Sequence, residues 1–441
     1  MSTTPNSSQQ TATLKERTKL IASIKKLVPE RHINVSNPNQ DYKPWLALVD
    51  ERTPHLLSAN TPAFEAGVGA LLKELGSSHT AFFHQRRDSI PAPYSINATL
   101  RAVDSPHGKR WMFVDVIEDG VAFQAGIQPG EFLLSIDSQA ILPPKSANFR
   151  IGGNHRVEIG GFNGSKREIV IGVPNRVAKD RPPMIEPRSL SHKFLAPDIG
   201  YIRVATFPGA VGQSFAKALD DAIRELKVRG IQRLILDLRG NIGGGLGSLR
   251  LMSYLCPGKI EIGYSLTRQR LRNGYRKESL TRIGKIPATK AELLMMAVRF
   301  KVFQRDRSMT LVTEGLGGQP FHGRIVILIN EHTHSAAEMV ASFAKQNRLA
   351  TLVGTRTAGE VLGGANFKLA GGYVLRMPVA GWYTWQGECI EGKGVEPDLI
   401  VENSLQSLAN GTDTQLEKAL EVVKCSKSLS LPRDASQSDS A

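Results

Sequence analysis

The chain has 441 residues, of which 41% are hydrophobic, and a formal net charge of +15. This length favours about three domains. No apolar run reaches the roughly 18 to 20 residues that span a bilayer. The polar N-terminus lacks the apolar stretch of a secretory signal, so a cytoplasmic protein is expected. Three cysteines without C-x-x-C spacing exclude a disulfide framework and argue against zinc, and no metal or other cofactor is expected.

The first predicted elements are helices. A disordered tail is predicted at residues 1–13, followed by an N-terminal helical region at residues 14–92. Leu20, Ile21 and Ile24 recur at helical intervals. A second periodic helix is predicted from Ala63 to Leu75, and Gly76 is a plausible stop.

Residues 93–176 change to a β pattern. Strands are predicted at residues 99–103 and 111–117, and residues 120–137 indicate a short helix, a glycine turn and a strand. The segment A-G-I-x-x-G-E-x-L-x-x-I-D within that stretch resembles the PDZ domains found in peptidases. The resemblance implies a domain that binds peptide chain ends by strand addition to an open sheet edge.

An α/β core is predicted after a proline-rich linker at residues 177–198. Strands and helices alternate across residues 199–424, which indicates an α/β fold. A basic insertion is predicted at residues 268–320. Between Arg268 and Arg307 it carries 12 Lys/Arg and 3 Asp/Glu. This charge indicates either a solvated helical face or a lid that favours acidic peptide chains. A disordered tail is predicted at residues 425–441.

Ser335 lies where an apolar strand turns into a predicted helix. The strand is Arg324–Asn330, and the helix opens at Ser335. A hydroxyl at a helix N-terminus faces partly positive backbone N–H groups, which can stabilise negative charge that develops during acyl transfer. The same serine could simply cap the helix, with Glu338 completing a capping box.

A glycine-rich turn, Asp237–Gly245, follows another apolar strand. Such a turn can present backbone N–H groups to an anion. It lacks the Gly-Lys-Ser/Thr of a P-loop and the G-x-G-x-x-G spacing of a dinucleotide site. The turn alone therefore leaves open an anion site or a flexible connection.

Four motifs together resemble the S41 family of peptidases, which includes C-terminal processing and tricorn-like proteases. They are D-L-R-G-N-x-G-G, H-S-A-A-E-M, V-G-T-R-T-A-G and G-V-E-P-D, in the family's order along residues 237–398. Counting the PDZ-like part, the resemblance covers most of residues 60–400. It implies a ClpP/crotonase-like α/β peptidase core with an inserted PDZ-like domain.

The resemblance favours the tricorn-like branch of that family. C-terminal processing proteases place a dyad lysine shortly after the T-x-G element, but this chain has Glu360 there, and Lys368 and Lys393 are off-pattern. The tricorn-like branch uses a histidine before the PDZ insertion and a glutamate near the G-V-x-P-D close. His79 and Glu391 stand at those places.

The resemblance implies a serine peptidase acting on peptides or unfolded protein. Ser335 would be the nucleophile, His79 its base, and Glu391 the group that orients the histidine, with Ser78 assisting. An unperturbed serine hydroxyl needs such a base to react. Backbone N–H groups would hold the oxyanion, those of Gly243 or Gly244 with that of Ala336.

Other interpretations stay open at this point. His79 could be a structural histidine, and Glu388 could replace Glu391. His332 and His334 are rival bases, or could share a metal, although no third ligand is at hand. A non-catalytic ligand-binding protein on the same fold is the main alternative function. Nucleic-acid binding rests on charge alone and is not expected, whereas a homo-oligomer is possible.

Overall fold

The computed structural model describes residues 12–175, 184–298 and 308–425. Most of both predicted tails therefore lies outside the described residues. The exceptions are Ala12, which is buried in the N-terminal apolar cluster, and Thr13 and Cys425, which lie at helix ends. Thr13 caps the first helix through a capping box with Glu16, and Cys425 ends the last helix. No helix in these ranges is both long and apolar enough to cross a membrane.

The N-terminal region is helical, as the sequence predicted, with three helices where the periodicity predicted two. The elements are α1 (Leu14–Arg31), α2 (Lys43–Ser58), α3 (Thr61–Lys73), β1 (Ala81–His84) and β2 (Ser89–Pro91). The predicted stop after the second periodic helix is confirmed, because Gly76 adopts a left-handed φ of 61°. The two strands were not predicted. β1 is short and only partly buried, so it gives little periodic signal.

His32 joins these helices to the loop that follows α3. It is fully buried; Nδ1 lies 2.6 Å from Tyr42 Oη and Nε2 2.8 Å from Ser77 Oγ. Burial, and then the charge of Arg268, lower the pKa of His32 to about 4. In the folded state His32 therefore stays neutral until the pH falls to about 4, whereas in the unfolded chain the same imidazole takes up a proton near pH 6.5.

The unfolding free energy is expected to fall as the pH drops below about 6.5 towards 4. One differentially bound proton contributes up to about 1.4 kcal/mol per pH unit. Urea unfolding of wild type and His32→Asn at pH 7, 6 and 5 measures this slope. The variant should be less stable at pH 7 and show a shallower slope. His55→Asn, on the exposed surface of α2, should keep the wild-type slope. Equal slopes in all three proteins would contradict the assignment.

Residues 92–172 form a β unit around their own apolar cluster. Its elements are α4 (Ala92–Ser95), β3 (Ala98–Ser105), β4 (Gly108–Val116), α5 (Val121–Gln124), β5 (Phe132–Ile136), β6 (Gln139–Ala140), β7 (Asn148–Arg150), β8 (Asn154–Gly160) and β9 (Lys166–Gly172). The main sheet runs β3-β4-β5-β8-β9, and β7 pairs with β2. The predicted strands, short helix and turn are confirmed.

The remaining residues form an α/β region with two sheets. In chain order the elements are β10 (Leu190–Ala196), β11 (Ile199–Val204), α6 (Gln213–Val228), β12 (Arg233–Asp237), α7 (Gly247–Leu255), β13 (Glu261–Thr267), α8 (Arg268–Asn273), β14 (Thr281–Ile283), α9 (Lys290–Val298), β15 (Met309–Val312), β16 (Ile325–Ile329), α10 (Ala336–Gln346), β17 (Thr351–Gly354), β18 (Gly363–Lys368), β19 (Tyr373–Thr384), β20 (Leu399–Ile400), α11 (Leu405–Ala409) and α12 (Thr414–Cys425).

The first sheet, here called the core sheet, has the order β10-β11-β12-β16-β17-β20. From β11 onward its strands are parallel. One face packs on α6, α7 and α10, and the other on α12. All five residues of β16 are buried, as expected for a central parallel strand covered on both faces. The mixed α/β fold predicted from the alternation is confirmed.

The second sheet, here called the outer sheet, has the order β1-β19-β13-β15-β14, with β18 also on β19. Two sequence predictions were wrong here. Residues 268–320 do not merely interrupt the core, because β14 and β15 within them join the outer sheet. The linker predicted at residues 177–198 contains β10, which completes the core sheet by antiparallel pairing with β11. Nearby prolines obscure the strand pattern of β10, and basic residues obscure those of β14 and β15. Residues 176–183 and 299–307 lie outside the described ranges.

Candidate functional site

Three loops meet at one edge of the core sheet. β12, β16 and β17 are parallel neighbours, so their C-terminal ends lie side by side. The glycine-rich turn follows β12, the Ser335 loop follows β16, and the segment containing Thr357–Glu360 follows β17. Crevices at the carboxyl ends of parallel strands are where open α/β sheets bind ligands.

Ser335 occupies a strained position at the N-terminus of α10. Its backbone has φ 55° and ψ −119°, outside the regions that side-chain-bearing residues ordinarily adopt. A Cβ on Gly243 would stand 2.6 Å from Ser335 Cβ, so only glycine allows the turn to approach this closely. The hydroxyl-bearing residue is thereby held between the helix N-terminus and the glycine-rich turn.

Glu338 fixes the surroundings of Ser335. Its buried carboxylate accepts from Ser335 N (3.0 Å), Thr357 Oγ1 (2.6 Å), Gly359 N (2.7 Å) and Glu360 N (2.8 Å). Burial raises the pKa of Glu338, and these four donors oppose that rise. The sequence indicated only a capping box; its wider role depends on contacts with a loop about 20 residues away.

His79 is held from the N-terminal side. It follows α3 with a left-handed φ of 58°, and its Nδ1 lies 2.9 Å from Ser78 Oγ. Burial, then the charge of Arg376, lower the pKa of His79 to about 4, although Glu360 acts in the opposite direction. The charge of His334, the residue before Ser335, also lowers the pKa of this imidazole. The His79 imidazole is therefore close enough to the Ser335 loop to feel the charge of His334, and this pKa leaves it neutral at pH 7.

Glu391 meets the Ser78–His79 pair across 313 residues of chain. Its Oε1 accepts from Ser78 N at 3.4 Å, and its Oε2 from Val361 N at 2.8 Å. Glu391 thus contacts the backbone of Ser78, whose hydroxyl contacts His79. The rival Glu388 accepts from Gln346 Nε2, at the far end of α10, at 3.1 Å.

The rival histidines have other neighbours. His334 Nδ1 lies 3.2 Å from Glu360 Oε2. Within the part of the chain that the structure describes, the buried Nε2 of His332 makes no hydrogen bond; it lies 3.9 Å from Glu331 Oε1, and burial lowers the pKa of His332. Among the residues that the structure describes, no three His, Cys, Asp or Glu side chains cluster as a metal site.

The glycine-rich turn requires one correction to the predicted oxyanion donors. Gly243 N donates to Asn241 Oδ1 at 2.7 Å, so this N–H is already engaged. Within the described ranges, neither Gly244 N nor Ala336 N makes a hydrogen bond. Gly244 also has an extended, glycine-favouring φ of 141°. An asparagine side chain two residues earlier decides which N–H stays available, a local effect that the motif alone does not reveal.

Two residues in the cleft were missed by sequence reasoning. The charge of Arg376 lowers the pKa of His79. The pKa of Tyr94 is raised chiefly by burial; the charge of Arg376 lowers it and that of Glu360 raises it. Arg376 lies on β19 and Tyr94 on α4. In the sequence, Arg376 is one basic residue between the apolar positions of a strand, which carries no functional signal by itself.

Comparison with known proteins finds a family match in the core region. Residues 198–401 match the sequence model of Peptidase family S41. A carboxy-terminal-processing protease of Bartonella bacilliformis is 25% identical over 310 residues, covering 69% of this chain and 61% of that protein. A tricorn protease of Thermoplasma acidophilum is 25% identical over 316 residues, covering 69% of this chain and 25% of that protein. The chain thus spans less than two thirds of either relative.

A solved structure shows the same fold over nearly the whole chain. The photosystem II D1 C-terminal processing protease superposes with a TM-score of 0.55 and 17% sequence identity. The superposition covers 92% of this chain and 97% of that chain.

Proposed function

We propose, from the S41 peptidase region at residues 198–401, that this protein is a serine-type peptidase, a hydrolase. The family match and the carboxy-terminal-processing relatives support that class. The finer assignment is a tricorn-like Ser/His/Glu site that cleaves unfolded peptides or protein C-terminal regions. One observation supports it most: His79 Nδ1 contacts Ser78 Oγ, and Ser78 N donates to Glu391. The charge of His334, the residue next to the strained Ser335, also acts on the same imidazole.

The reaction follows from these positions. Ser335 Oγ attacks the scissile carbonyl carbon as His79 Nε2 takes its proton. The N–H groups of Gly244 and Ala336 stabilise the oxyanion. The C–N bond then breaks and His79 gives the proton to the leaving amine. Water hydrolyses the acyl-enzyme with His79 again as base, which releases the carboxylic acid and restores Ser335.

The surrounding units have proposed roles as well. The core is proposed to be ClpP/crotonase-like, and residues 93–176 to be a PDZ-like domain that binds or gates the substrate. Buried Asp115 of β4 accepts from Asn330 Nδ2 at 3.0 Å, and Asn330 Oδ1 accepts from Gly240 N at 3.1 Å. These contacts support the gating proposal, because they connect the β unit directly to the glycine-rich turn.

A fluorophosphonate probe tests the proposed nucleophile. Wild type is expected to be labelled at one site, and Ser335→Ala to lose the label completely, because only an activated serine reacts. The measurement is gel fluorescence together with mass spectrometry of the labelled peptide. Ser279→Ala, an exposed serine outside the cleft, is the matched control and should label normally. A folded wild type that stays unlabelled would favour the non-catalytic binding protein.

A further inference from the structure

Arg376 points away from the hydrophobic layer beneath β19. Its strand neighbours Leu375 and Met377 are fully buried against the N-terminal helices, as is Tyr373. Successive strand side chains point to opposite faces. Arg376 therefore projects from the other face of the outer sheet, where it is half-buried.

The Arg376 guanidinium lies beside His79. A Cβ on Gly364 would stand 3.2 Å from Arg376 Nε and 3.5 Å from His79 Cβ. The two side chains thus flank one glycine of β18. Burial raises the pKa of Tyr94, Arg376 lowers it and Glu360 raises it, so the phenol is close to both charges.

The Arg376 guanidinium is unpaired among the residues that the structure describes. Across residues 12–175, 184–298 and 308–425, Arg376 makes no side-chain hydrogen bond or ion pair. The nearby Glu360 contacts His334 instead, at 3.2 Å. By contrast, the buried Arg239 forms ion pairs with both Asp237 and Asp413. A half-buried guanidinium beside His79, with no carboxylate bound to it, is suited to bind a carboxylate of another molecule.

We propose that Arg376 binds a carboxylate of the peptide substrate next to the scissile bond. The inference rests on the proposed peptidase function and adds a substrate class to it. The carboxylate has two possible sources, the peptide's C-terminus or an Asp or Glu side chain. Both offer the planar pair of oxygens that a guanidinium binds through two parallel hydrogen bonds.

Three octapeptide libraries separate the sources. The first lacks Asp and Glu and has a free C-terminal carboxylate. The second is the same library amidated, and the third is amidated with Asp and Glu included. Cleavage rates are measured by mass spectrometry for wild type, Arg376→Gln, Arg376→Lys and the control Arg224→Gln, which changes an exposed arginine of α6. Thermal melting checks that each variant is folded.

Wild type is expected to cleave one carboxylate-bearing library about 10- to 100-fold faster than the second, the range for a charge-assisted hydrogen bond. A terminal carboxylate favours the first library. A side-chain carboxylate favours the third, with Asp or Glu at a fixed distance from the cut. Arg376→Gln should reduce the favoured rate to that of the second library, Arg376→Lys should retain part of it, and Arg224→Gln all of it.

Equal wild-type rates on all three libraries, or a preference that survives in Arg376→Gln, overturn the inference. Fluorophosphonate labelling separates this failure from failure of the peptidase function. If Ser335 is labelled but the protein shows no preference for a carboxylate, only the role of Arg376 is rejected. If wild type is unlabelled and cleaves nothing, retention of the libraries on immobilised Ser335→Ala protein is measured. Retention independent of the carboxylate then also rejects the inference.

Discussion

Replacing His79 with alanine is expected to reduce kcat/KM for peptide cleavage by about 10⁶-fold, as loss of the triad histidine does in serine peptidases. The physical reason is that Ser335 then has no base for its proton, while the strained backbone and the oxyanion donors remain. Hydrolysis of fluorescein-labelled casein measures the loss. Fluorophosphonate labelling should disappear in parallel.

His55→Ala is the matched control, since this histidine lies on the exposed side of α2 and should leave the rate unchanged. A His79→Ala variant that keeps more than a tenth of the activity would exclude His79 as the base. His334 would then be the candidate to test, because it is next to Ser335 and contacts Glu360.

The pH profile follows from the same imidazole. A base acts only when deprotonated, and burial together with Arg376 lowers the pKa of His79 to about 4. Activity should therefore persist as the pH falls from 7 to 5 and decline through about 4, where a solvated histidine would already fail near 6.5. In Arg376→Gln the acidic limb should move to higher pH, because a cation that opposes protonation is removed.

The largest expected loss of stability comes from Asp237→Ala, at about 3–5 kcal/mol, the cost of breaking a buried ion pair. The fully buried carboxylate accepts from Tyr201 Oη at 2.7 Å, from Arg203 Nη1 at 3.3 Å and from Arg239 Nη2 at 2.7 Å. Burial alone would raise the pKa of Asp237, but the charges of Arg239 and Arg203 hold it well below its usual range. Alanine would remove the ion-pair partner of Arg203 and leave Arg239 paired with Asp413 alone.

Urea unfolding at pH 7 measures this cost. Asp221→Ala is the control, because its ion pair on α6 is exposed and such pairs contribute about 0–1 kcal/mol. Equal unfolding free energies for the two variants would show that Asp237 does not stabilise the strand end beneath the glycine-rich turn.

The alternating region could be predicted because its elements are long and strongly patterned. α6, for example, runs from Gln213 to Val228, and its continuous apolar stripe gives a clear helical period. β10, β14 and β15 escaped detection for the opposite reason. Each is short, lies near prolines or basic residues, and depends on pairing with distant strands. Tertiary pairing of this kind leaves little trace in local sequence.

The candidate site divides in a similar way. Ser335 and the glycine-rich turn stand out locally, as a helix start and a break after buried strands. His79 and Glu391 do not, and only the family resemblance selected them. Arg376 was missed because one basic residue in a strand predicts nothing by itself. Its position becomes informative once the two faces of β19 are known.

The placement of the proposed nucleophile and base on different sheets has a mechanical consequence. Ser335 follows a strand of the core sheet, whereas His79 immediately precedes β1 of the outer sheet. A slide of one sheet against the other by the length of a hydrogen bond would separate Oγ from the imidazole without altering either residue. The catalytic rate would then depend on the alignment of the two sheets. A partner that binds both sheets would change the rate from a distance.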